Sequence, residues 1–189
     1  MRKQERPPNE SYYETRHRFL SQGDIFKDVP LAYPFPPGQI VEDTSAPTGA
    51  RQFLSGPFEM GHAMLLTPTC SMRAQQTAEV TYAHLVRVLA VIRPVQELVD
   101  RGILNPGSLG VLRKYDGLMS YMYLPESASI GLPESVALLY MTVILHHEMI
   151  DGQRVTQLAI DGAQQLQRKL VLFASGLPVD RNEFKPPMD

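Results

Sequence analysis

The sequence predicts a mainly β (α+β) fold, a small β-barrel carrying an elaborated loop and a C-terminal amphipathic helix. Two stretches and the chain between them point there. Gln22-Gly23-Asp24-Ile25-Phe26 reads as a turn feeding a short strand. Ala63-Met64-Leu65-Leu66-Thr67-Pro68-Thr69-Cys70-Ser71 reads as a strand buried on both faces that ends in a polar elbow. Between them lies a long stretch dense in proline.

The first strand runs from Gln22 to Val29, with Ile25 and Val29 as core candidates, and Pro30 ends it. From Pro30 to Pro57 the chain carries Pro34, Pro36, Pro37, Gly38, Pro47, Gly49 and Gly56, a density of breakers that predicts a structureless connection. Long loops of this kind are usually functional, and Tyr33, Phe35 and Phe53 make it a candidate recognition element. The second strand covers 63–67 and stops at Thr67-Pro68. Arg73 to Thr81 is polar and reads as a loop or short helix. His84 to Ile92 reads as a third strand, with a helix as the competing reading.

Pro94 suits the first turn of a helix over Val95 to Asp100, with Gly102 as its stop. Asn105-Pro106-Gly107 is a turn, and Leu109 to Tyr115 reads as a further helical turn. Leu118 to Leu124 has strand composition and ends at Pro125. Ser135 to Leu145 is uncharged; its length suits a helix and its composition a strand, and a long strand is the expectation because its neighbours need a partner. Asp161 reads as the N-cap of a helix with Ala163, Leu166, Leu170 and Phe173 on one face, stopped at Gly176. Residues 1–20 and 176–189 read as flexible ends, leaving one domain over 21–175.

Composition narrows the function. The chain has 189 residues, net charge −2 and one cysteine. Weak net charge argues against non-specific attraction to nucleic acid over the whole surface. A lone cysteine forms no internal disulfide, so nothing requires an oxidising compartment. The longest uncharged apolar run, Val136 to Leu145, is about half of a membrane-spanning helix. The N-terminus lacks the apolar segment of a secretion signal, and a cytoplasmic location is the default.

The order of these parts, opened by Gly23-Asp24-Ile25 and followed by the strand Ala63 to Thr67, resembles the MazF/PemK toxin-like family. The likeness spans Ser21 to Ser175 in order of elements. It implies an SH3-like β-barrel, a homodimer, and cleavage of single-stranded RNA by attack of the 2′-hydroxyl on the neighbouring phosphate. Such chemistry needs an acid and base and a cation on the phosphate. The family's arginine before the second strand is replaced here by Gly61-His62. Its hydroxyl residue after the third strand is replaced by Val91-Ile92-Arg93-Pro94. His62 as acid or base with Arg93 as the cation is the substitute pair. The plainer reading is a half-exposed strand histidine and a solvated arginine.

Other candidates are weighed the same way. Cys70 becomes a nucleophile only if His62, His84 or Arg73 lowers its pKa; a small buried hydrophobe is the commoner role. His146-His147-Glu148 with Asp151 has the look of a metal site, but a second histidine is missing at Asp151, and a polar strand end before the Asp151-Gly152 turn fits better. Arg73 and Arg87 with Tyr121 and Tyr123 are candidates for contacting nucleic acid, the tyrosines by stacking bases. No cofactor or metal is expected. The leading expectation is a non-catalytic nucleic-acid or protein interaction module, and the resemblance implies a place for it in a bacterial toxin–antitoxin or phage-defence assembly. The alternatives are a divergent endoribonuclease and a structural adaptor.

Overall fold

A computed structural model describes residue 12 and residues 19–32, 39–43, 51–55, 58–72, 86–113 and 118–175. Six antiparallel strands form one sheet: β1 (Asp24–Ala32), β4 (Phe58–Leu65), β5 (Val86–Pro94), β6 (Tyr121–Leu124), β7 (Ser135–His146) and β8 (Arg154–Gln157), in the order β6-β7-β5-β4-β1-β8. A separate two-stranded sheet pairs β2 (Gln39–Asp43) with β3 (Arg51–Ser55). The helices are α1 (Thr69–Met72), α2 (Val95–Asp100), α3 (Leu109–Leu112) and α4 (Ile160–Ser175). No helix among the described residues is long and apolar enough to cross a membrane.

Alternation along the strands sends apolar side chains to both faces. One face carries Ile25, Met64, Ala90, Ile92, Met122, Leu124, Ala137 and Leu139, and the helix α4 covers it through Leu166, with Ala163 and Leu170 beside it. The other carries Phe26, Leu31, Ala63, Leu65, Leu89 and Val91. Farther along that face α2 packs Val95 and Leu98 against Val136 and Leu138. Cover on both faces explains the continuous apolar runs at the end of β4, through β5 and over the first half of β7, Ser135 to Leu139.

No β6–β8 pairing closes the sheet into a hydrogen-bonded barrel. The sheet is nonetheless rolled. Tyr12 makes an isolated bridge to Leu158, just past β8, while its hydroxyl donates to the Pro125 carbonyl, just past β6, at 2.8 Å. In a flat sheet the first and sixth strands stand five spacings apart, ~24 Å, far beyond the reach of one tyrosine.

Several expectations change. Pro30 does not end β1, which runs on to Ala32 opposite Phe58. The reason is local: β8 pairs β1 only from Asp24 to Phe26, so the imide nitrogen of Pro30 costs no ladder bond. The stretch from Pro30 to Pro57 is not structureless, because β2 and β3 form within it. β4 begins at Phe58 and ends at Leu65, earlier at both ends than 63–67. β6 is confined to Tyr121–Leu124, and α3 to a single turn. Helix α4 starts at Ile160, which places Asp161 in the first turn rather than at the cap, and Phe173 is exposed rather than packed. Ser135–His146 is a strand, as its composition suggested. Tyr33, Phe35, Arg73 and His84 lie outside the described residues.

Candidate nucleic-acid interface

The two stretches that dominate the sequence bind each other. Gly23 N–H donates to the Leu65 carbonyl at 2.8 Å. Gln22 Nε2 donates to the Leu66 carbonyl at 2.6 Å, and Gln22 N–H to Thr69 Oγ1 at 3.1 Å. Thr67 Oγ1 accepts from Val88 N–H at 2.8 Å, taking over the ladder where proline stops it. Gly23 has φ +92°, open to glycine at no steric cost, and a Cβ there would come within 3.0 Å of Leu158. The Thr67-Pro68-Thr69 elbow is therefore a structural clasp on the start of β1. The Cys70 side chain lies outside the described part of α1.

Asp24 sits at the centre of that clasp, fully buried. Its Oδ2 accepts from Ser21 N–H and from Arg154 Nη1, both at 3.0 Å. Burial raises its pKa despite the lowering pull of Ser21, Arg154 and Gln157. Neither Asp24 nor Arg154 stood out in the sequence as an ion pair. An acidic residue opening a strand was the only available signal.

His62 and Arg93 belong to adjacent strands but not to one site. His62 pairs with Ile92, so its side chain shares the α4-covered face with Met64 and Ile92. Arg93 is one residue on and points to the opposite face. Burial lowers the His62 pKa, with Asp28 pulling it up and Lys27 pushing it down. The imidazole is thereby held neutral at pH 7, and among the described residues no strand arginine shares its face of the sheet to hold a phosphate beside it. Asp28 lies in a bulge of β1 at φ +50°, opposite His62. Arg93 is nearly buried and ion-paired with Glu59 of β4. Glu97 and Arg101 of the α2 region complete its charged surroundings.

The nucleic-acid candidates share a face without forming a track. Arg87, Tyr121, Tyr123 and Arg93 all project to the side opposite α4. Arg87 is six residues from Arg93 along β5, ~20 Å, is nearly buried, and donates to its neighbour's carbonyl, Val86 O, at 3.0 Å. Tyr123 lies in the same cross-strand row as Arg93, with Val136 between. Its hydroxyl donates to Glu134 Oε1 at 2.7 Å, and burial with the Glu134 carboxylate pushes its pKa up to about 12. Arg113 grips the same carboxylate through two bonds of 2.7 and 3.0 Å. Tyr121 meets Tyr140 edge to face, centroids 5.7 Å apart. Arg113 and Glu134 escaped the sequence reading because 21 residues separate them.

His146 and His147 stand with ring centroids 4.5 Å apart, and His146 Nδ1 lies 3.5 Å from Glu148. No group of three or more His, Cys, Asp and Glu side chains able to hold a metal occurs among the described residues. Comparison with protein-family models and with curated proteins finds no match to this chain.

Proposed function

We propose that the chain is a non-catalytic interaction module on an SH3-like barrel scaffold, with a protein rather than single-stranded RNA as its partner. One observation carries the reading: His62 and Arg93, the only pair proposed to replace the toxin machinery, face opposite sides of the sheet. A base and a phosphate-holding cation must meet at one reacting group within a few ångströms. The rolled sheet, spanned by Tyr12 from past β8 to past β6, supports the barrel scaffold. The arginines support a protein partner. Arg93, Arg113 and Arg154 each engage a carboxylate of the chain itself, and the hydroxyl of Tyr123 is bonded to Glu134. Meanwhile the outer end of the β1–β4 ribbon leaves Phe58 and Met60 exposed beside His62. A role in a toxin–antitoxin or phage-defence assembly follows from the resemblance alone.

Titration of a labelled single-stranded RNA against the chain at several salt concentrations tests the choice of partner. The reading expects no saturable, salt-dependent binding in the micromolar range. Binding that weakens steeply with salt, and that Arg87→Ala or Tyr121→Ala reduces, would replace it with the RNA-binding reading.

A further inference from the structure

Strand β7 is twelve residues long, but β6 covers only its first part, Ser135 to Leu138. Among the described residues the last bond on that side is Leu139 N–H to the Ser120 carbonyl, at 3.0 Å. The orientation of the remaining backbone follows from its neighbour. The main-chain groups of Val88 face β4: its carbonyl accepts from Leu66 N–H and Thr67 N–H, and its N–H donates to Thr67. Alternation then turns Arg87 and Leu89 toward β7, against Leu145 and Val143. Thr142, Ile144 and His146 consequently direct their N–H and C=O groups away from β5, to the side that β6 does not reach. Among the described residues no strand lies there.

We infer that this edge is the pairing surface for a second copy of the chain, joined by antiparallel β7–β7 addition about a two-fold axis at Ile144. The strand is suited to its own copy. Antiparallel pairing centred on Ile144 sets Ile144 against the partner's Ile144 and Thr142 against the partner's His146, so the three outward-facing residues all find ladder partners. Ile144 is 67% exposed and would be covered in the pair. Natural edges are usually blunted by lysine, proline or inward charge; Ser135 to Leu145 contains none of these. No like charges meet across the axis, and a net charge of −2 leaves little repulsion between copies. So short a ladder buries less than the standard interface of ~800 Å² per partner, which puts the dimer in the weak, concentration-dependent class. The inference stands on backbone orientation and does not depend on the reading of His62 or Arg93.

Sedimentation of the full chain from ~1 to ~500 μM, the range in which interfaces of the small class associate, reads the association directly. The expected result is a monomer–dimer equilibrium that Ile144→Lys weakens at least about tenfold. Thr142→Pro acts likewise, because the N–H it deletes faces outward and the β5 ladder keeps its bonds. Both variants should melt within a few degrees of the parent, which separates loss of pairing from loss of fold. In a Cys70→Ser background, Ile144→Cys should form an intermolecular disulfide faster than Val171→Cys, a position on α4 that is also 67% exposed. A parent that stays monomeric throughout, a dimer indifferent to Ile144→Lys, or equal cross-linking at both positions overturns the inference. A monomer whose edge accepts a foreign strand is among those overturning outcomes.

Discussion

Two arginine–carboxylate pairs in this molecule share their chemistry and differ in their solvent. Asp24 and Arg154 join the start of β1 to β8, with the Asp24 side chain fully buried and that of Arg154 15% exposed. Glu134 and Arg113 join the entry of β7 to α3, with side chains 31% and 50% exposed. The pKa shifts run in opposite directions. Burial dominates at Asp24 and raises it, while hydrogen bonds from Arg113 dominate at Glu134 and lower it. An ion pair's sign as a stabiliser is thus set by what it loses in leaving water, not by its contact distance, which reaches 3.0 Å in both.

The largest expected effect breaks the buried pair. Arg154→Ala leaves a carboxylate without its cation in a dry site and should cost about 3–5 kcal/mol, read as a fall in the denaturant midpoint at unchanged slope. Next comes the pH dependence of Asp24. Its folded pKa lies above the unfolded value, so in the window between them the native state holds a proton that the unfolded chain has released. Stability therefore falls as pH rises through that window. Asp24→Asn removes the dependence, and its stability relative to the parent should climb with pH there and level off above it. A constant difference across the window would refute the burial-dominated account. Glu134 has the reverse sign. Its contribution is present above the ordinary carboxylate range and disappears as pH falls through the lowered folded value. Glu134→Gln should cost about 1 kcal/mol or less, because the pair is substantially exposed, and added salt should shrink even that.

Legibility followed the same division between local and distant determinants. Ala63 to Leu65, Val86 to Ile92 and Ser135 to Leu139 were readable as strands because burial on both faces leaves a local apolar signature, and Tyr140 to Leu145 continued the uncharged run although its alternate residues are exposed. The helices α2 and α4 were readable from Pro94, Gly102 and an apolar face over Ala163, Leu166 and Leu170. β2 and β3 were not, because proline and glycine between Pro30 and Pro57 exclude a central strand but not a two-stranded sheet placed among them. β8 was missed because Arg-Val-Thr-Gln carries too little apolar pattern, and only its pairing with β1 makes it a strand. The sequence placed His62 and Arg93 near each other, and the register did bring their strands together. Their opposite faces depend on which residue pairs with which, and His62 opposing Ile92 is a fact of register that no single-strand pattern contains.

Arg93 pairs with Glu59 on the face of the sheet opposite His62, the arrangement on which the proposed non-catalytic role rests. The most direct test follows hydrolysis of a labelled single-stranded RNA by the purified chain, alongside His62→Ala and Arg93→Ala. All three proteins are expected to leave the RNA as intact as buffer does. Cleavage by the parent chain that either substitution abolishes, in a protein still folded, would contradict the non-catalytic role.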